Sequence, residues 1–239
     1  MNGLPIGTIT LVILSGLVYF GLAQRLLDRM RLSDKEALVI IGALVIGSFI
    51  DIPLSKGNIE VSVNVGGALV PVVLAFYLLY KAGTTREVVR ALLATVVTAG
   101  VIYFLGSIVM KGDASDRMTL IDPLYLYPLV GGTTAYLLGR SRRAAFVAAT
   151  LGVLSLDIIH FFWLVSTGTP GTVNMGGAGA FDSIVIAGLV AILLAEIIGE
   201  TRERLQGGPA TKGRDPELLK HLNSNLGIDE KVGEEDEKN

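Results

Sequence analysis

Cysteine is absent from the 239 residues. That excludes disulfides, thiolate metal centres and cysteine nucleophiles, and leaves the redox compartment undetermined. Charge is scarce as well: Asp, Glu, Lys and Arg make up 18% of the chain, where a soluble domain carries about a quarter. Lys and Arg number 20 against 22 Asp and Glu, so no basic excess or stripe exists to hold nucleic acid. No Gly-x-x-x-x-Gly-Lys-Ser/Thr occurs, which removes a nucleotide-driven motor. Neither Gly-x-Ser-x-Gly nor His-Glu-x-x-His occurs, so serine hydrolase and zincin chemistries lack their residues.

What remains is apolar. Hydrophobic residues make up 51%, and the mean hydropathy is +0.60. The charge is concentrated at the end. Residues 1–200 hold 13 Lys/Arg and 13 Asp/Glu, whereas 201–239 hold 7 and 9. This division predicts a transmembrane domain over 1–200 and a disordered, polar cytoplasmic tail over 201–239. Within that tail, Asp215-Pro216-Glu217 could start a short helix carrying Leu218, Leu219, His221 and Leu222.

A bilayer core needs about 20 apolar residues per helix. Seven stretches qualify: Leu4–Gln24, Ala37–Leu54, Gly66–Tyr80, Val88–Met110, Leu120–Gly139, Ala144–Val165 and Ala178–Ile198. The expected fold is therefore all-α, a polytopic helical bundle of the cell membrane. Lys and Arg between the spans set its orientation. Ten lie in the loops after spans 1, 3 and 5, against three (Lys56, Lys111 and Arg117) on the other side. The N-terminus is expected outside and the C-terminus in the cytoplasm. Rows of small residues at four-residue spacing, such as Ala187, Ala191 and Ala195 or Ala144, Ala148 and Gly152, predict close helix packing.

Two outer segments share a pattern. Ile59–Asn64 alternates apolar and polar as a strand does, and it runs into Asn64-Val65-Gly66-Gly67-Ala68. Asn174-Met175-Gly176-Gly177-Ala178 repeats Asn-x-Gly-Gly-Ala before span 7. Asn is a good N-cap, so each motif is expected to open its helix. Gly-rich helix starts in corresponding places are where transporters build binding sites.

Ionisable groups inside a membrane cost a few kcal/mol each and are functional suspects by default. Asp157 falls in the middle of span 6, with His160 on the same helix face three residues on. Asp182 falls about one turn into span 7, while Asp51 and Asp122 sit at the outer ends of spans 2 and 5 beside Pro53 and Pro123. The last two could equally cap helix ends. No Lys or Arg lies at a comparable depth. A carboxylate so placed takes up a proton, binds a cation, or shares a proton with a second carboxylate. Oxygen ligands without cysteine suit protons, Na⁺ or hard divalent cations, with no other cofactor implied.

Leu156-Asp157 on span 6 and Gly176-Gly177-Ala178-Gly179-Ala180-Phe181-Asp182 on span 7 resemble the intramembrane aspartyl proteases, in which Tyr-Asp on one helix meets Gly-x-Gly-Asp on the next. Leu156 stands where Tyr is expected, two residues separate Gly179 from Asp182, and no Pro-Ala-Leu follows. A wider resemblance covers residues 10–205. RLLDRMRLSDKEALVIIGALVIGSFIDIPL, GRSRRAAFVAATLGVLSLDI and GGAGAFDSIVIAGLVAILLAEIIGETRE resemble an uncharacterised family of bacterial and archaeal multi-pass membrane proteins, a domain of unknown function. It implies a polytopic membrane protein and no activity.

Three readings follow. The leading one is a transporter or ion-coupled permease for a small ion or solute. Its outward-facing acidic cavity would be lined by Asp157, Asp182 and His160, with Asp51 and Asp122 at the mouth. Seven spans leave little room for alternating access, which favours a homodimer. The second is an aspartyl protease using Asp157 and Asp182. The third is a non-catalytic scaffold or assembly factor.

Overall fold

The computed structural model describes residue 16 and residues 20–28, 30, 32–109 and 123–205. Most of span 1, Asp122 and the tail helix around Leu218 lie outside the described residues. Contacts divide the chain after Ile197. Of the second unit, only the last part of one helix is described.

The described residues are mostly helical. Helix α1 covers residues 20–28, and α2 is Asp34–Gly47. Strands β1 (Asp51–Ser55) and β2 (Ile59–Asn64) form a hairpin, and a π-helical turn, Val65–Leu69, leads into α3 (Val70–Tyr80). Helices α4 (Thr85–Val109), α5 (Pro123–Gly139) and α6 (Arg142–Thr167) follow. Strand β3 (Gly171–Met175) and a 3₁₀ turn, Gly179–Phe181, precede α7 (Ser183–Leu205). Two of these helices, α4 and α6, are long and apolar enough to cross a membrane.

Helix α6 packs against α3, α4 and α5. Its inner face is rich in small residues: Ala144, Ala145, Ala148 and Ala149 are buried beside Phe146 and Val147, and Gly152 lies against the Thr98 side chain of α4. Small residues let the backbones close in, and dispersion over that contact replaces bulk as the source of cohesion. The outward faces carry large apolar side chains instead. Phe76, Val96, Phe104 and Phe162 are each about 60–70% exposed, an apolar surface that water does not favour and lipid would.

Span 2, expected to run Ala37–Leu54, ends as a helix at Gly47 and continues as strand β1. Pro53 explains the switch. It has no N–H to donate, and it pushes Ile52 into extended backbone. Proline is tolerated in a sheet at an edge, and β1 is an edge strand in the order β1-β2-β3. The all-α expectation is thus corrected by a small mixed sheet. The hairpin pairs Asp51 with Asn64, while β2 and β3 run parallel with Ser62 opposite Asn174. Helix α7 also continues to Leu205, beyond the expected start of the tail at 201, because Thr201-Arg202-Glu203-Arg204-Leu205 is rich in helix formers.

At the end of the bundle away from the sheet, polar side chains tie the loops together. Ser33 and Glu36 form a capping box on α2. Glu36 also accepts hydrogen bonds from Tyr77 Oη at 2.5 Å and Lys81 Nζ at 3.4 Å. Arg143 reaches the Lys81 carbonyl at 3.0 Å and Glu87 at 3.4 Å, and Arg142 pairs with Glu196 at 2.6 Å. The Tyr77 hydroxyl, followed by the Ser33 backbone, lowers the Glu36 carboxyl from 4.5 to about 2. A group depressed in the folded state stabilises fully above its unfolded value and loses that contribution as pH falls through its folded value. Wild type should therefore lose part of its stability between pH 4.5 and about 2. Glu36→Gln should narrow that loss, read as thermal midpoints of the two detergent-solubilised proteins across this range. Parallel profiles would refute the assignment.

Candidate functional site

Asn64 is 1% exposed and fully used. Its Oδ1 accepts from Gly67 N at 2.8 Å, and its Nδ2 donates to the Ser48 carbonyl at 3.0 Å and Asp51 Oδ1 at 2.9 Å. One amide thus joins the end of α2, strand β1 and the π-helical start of α3. Asp51 serves this junction and does not line the acidic cavity described below.

The second Asn-x-Gly-Gly-Ala motif behaves differently. Asn174 Oδ1 accepts from Ser62 Oγ at 2.7 Å, and α7 begins only at Ser183. Its N-cap is Asp182, whose carboxylate accepts from Ile184 N at 2.9 Å and Ala178 N at 3.2 Å. The expectation that both asparagines open their helices is corrected. Gly176 and Gly179 have φ of 71° and 62°, and these left-handed positions turn the chain before a helix can start. The two motifs nonetheless lie side by side. Just beyond the paired strands Gly176 lies on Gly67, where a Cβ on either would fall within 2.4 Å of the other segment's backbone.

A cavity of about 700 Å³ opens near this end, walled by α4, α5, α6, β3 and the start of α7. Asp157 and His160 of α6 line it together with Asp182. The structure therefore brings three of the five sequence-selected residues into one cavity, places Asp51 elsewhere, and leaves Asp122 outside the described residues. Among the described residues no hydrogen-bond donor or cation reaches the Asp157 carboxylate, and no Lys or Arg lines the cavity. The His160 ring stacks on Trp163, centroids 6.2 Å apart at 26°. No group of three or more His, Asp or Glu side chains among the described residues is arranged to hold a metal ion.

Sequence reasoning missed the neighbours supplied by other helices. Tyr127 of α5 and Ser107 of α4 line the same cavity, and the Tyr127 hydroxyl lies over Gly106, 3.0 Å from where a Cβ would stand. A tyrosine hydroxyl in an apolar helix needs a polar surface to face. That was the one available signal for Tyr127; Ser107 carried none.

Fold and cavity together define a mostly helical protein with two membrane-length apolar helices and an acidic pocket built on α6 and the start of α7. The chain belongs to the family described as protein of unknown function (DUF1614), whose model matches residues 27–194. No curated protein and no solved structure shows significant similarity to it.

Proposed function

We propose that this is a multi-pass protein of the cell membrane acting as a transporter or ion-coupled permease, with Asp157 as the central proton- or cation-binding group. Seven spans, an external N-terminus and a cytoplasmic C-terminus complete the reading. The single observation that carries it is the cavity holding Asp157, Asp182 and His160 without a Lys or Arg. A carboxylate that no protein donor neutralises must be neutralised by what enters: a proton, Na⁺ or a cationic solute.

Orientation is supported by where the described cations lie. Lys81, Arg86, Arg90, Arg140, Arg142 and Arg143 fall on or between helix ends away from the sheet, and Lys56 alone lies in the hairpin. The positive-inside rule then puts the sheet, and the cavity beside it, outside. A protease dyad would have Asp157 and Asp182 share one proton. Both Asp182 oxygens already accept backbone N–H groups, which favours permeation over peptide hydrolysis.

The lack of native cysteine makes the test clean. Ser107→Cys, at the cavity wall, should react with a membrane-impermeant maleimide added outside intact cells. In proteoliposomes loaded with a pH-sensitive dye, the same modification should abolish proton or Na⁺-coupled flux. Labelling only from the cytoplasmic side would overturn the orientation, and unaltered flux after complete labelling would overturn the pathway.

A further inference from the structure

At the opposite end a second recess has no role in the permease reading. It is a groove of about 530 Å³ along α4, closed on one side by Leu138 of α5. Val89, Leu93 and Val97 recur every four residues and form its apolar floor. Each is 46–62% exposed, so no part of the described chain covers them. Arg86 and Arg90, also four apart, stand at its mouth. Neither makes an ion pair or hydrogen bond among the described residues. The nearest carboxylate in sequence, Glu87, is engaged by Arg143 and by the Ser141 hydroxyl instead.

An apolar slot about three helical turns long, capped by two free guanidinium groups, matches one occupant: an anionic phospholipid. Guanidinium forks pair with phosphate oxygens in bidentate fashion, and the floor accepts an acyl chain. A zwitterionic lipid would bring its own cation against the arginines, and a free phosphate would leave the floor wet. We propose that this groove binds an anionic phospholipid of the cytoplasmic leaflet, with the headgroup on Arg86 and Arg90 and one chain along Val89, Leu93 and Val97. The proposal rests on the membrane orientation above but not on transport. Basic recesses between helices on the cytoplasmic side are where such headgroups collect.

The test uses the full chain in detergent, with native mass spectrometry and thermal melting as readouts. Phosphatidylglycerol should bind and raise the melting midpoint, while phosphatidylcholine and inorganic phosphate should do neither. Arg86→Gln/Arg90→Gln should weaken phosphatidylglycerol binding about 30-fold, the effect of two arginines near a lipid surface. Val97→Trp, which fills the slot and keeps both charges, should weaken it too. Equal binding of phosphatidylcholine, an undiminished affinity in the double variant, or a matching shift from phosphate alone would each overturn the proposal. Ser107→Cys labelling reports orientation separately, so failure of the lipid site and failure of the membrane reading remain distinguishable.

Discussion

Asp157→Asn is expected to abolish flux in reconstituted vesicles while leaving the protein folded. Asparagine keeps the shape of the side chain and removes its charge and its titratable proton. An anion at this depth that supplies about 3 kcal/mol toward holding a cation would, when lost, slow coupled movement roughly a hundredfold. Stability should move the other way, or not at all. The Asp157 carboxylate accepts no hydrogen bond among the described residues, so a neutral amide forfeits no native partner and sheds an unpaired charge. Vesicle flux and the melting midpoint in detergent, taken on the same preparation, separate the two effects. Undiminished flux would remove Asp157 from the pathway. Asp182→Asn refines the point, because the asparagine oxygen still caps α7 through Ile184 N and only the weaker 3.2 Å bond from Ala178 N is given up. A flux loss with an intact midpoint would assign Asp182 to the pathway, and retained flux would reduce it to a cap.

The largest effect on folding should come from Gly67→Ala and Gly176→Ala. A Cβ on Gly67 would stand 2.0 Å from the Gly176 carbonyl oxygen, and one on Gly176 would stand 2.4 Å from the Gly67 carbonyl carbon and Ala68 nitrogen. The obstacles are backbone atoms of the π-helical turn and of the segment after β3, which cannot turn aside as a side chain can. Gly176 adds a left-handed φ of 71°. Overpacking and an unfavourable dihedral each cost about 1–3 kcal/mol, so Gly176→Ala should lose about 3–5 kcal/mol, a large share of a marginal fold's total. Gly57→Ala, in the β1-β2 hairpin with nothing within 4 Å of its Cβ, should behave as wild type. Denaturant or thermal midpoints of the three variants in detergent check the order. A Gly176→Ala protein as stable as Gly57→Ala would mean that the two motifs do not touch.

The middle helices were legible because each is a long apolar run with few interruptions. Spans 4, 5 and 6, read as Val88–Met110, Leu120–Gly139 and Ala144–Val165, differ by only a few residues from α4, α5 and α6. Ser141 marks the start of α6 by accepting from Ala144 N at 3.1 Å. Spans 2 and 7 were misbounded for a shared reason. Hydropathy scores Ile52, Leu54, Ala178 and Ala180 as membrane residues whether the backbone is helix, strand or turn. Backbone conformation there is decided by Pro53 and by the positive φ of Gly176 and Gly179.

The candidate site was legible in part, because a carboxylate in an apolar helix stands out against its neighbours. That contrast selects Asp157 and Asp182 without any knowledge of which helices adjoin. It cannot tell Asp51, spent on the Asn64 amide, from a cavity residue. Nor can it find Tyr127 and Ser107, whose relevance depends entirely on α4 and α5 facing α6.

The parallel pairing of β2 with β3 joins residues 112 positions apart, as in the Ser62–Asn174 bond. A nascent chain must therefore emit helices α3 to α6 before the second edge of β2 meets its complement, and any product terminated before Gly171 lacks that complement altogether. The sheet works as a late clasp, fastening the segment before α3 to the segment after α6 only once the helices between them have been made.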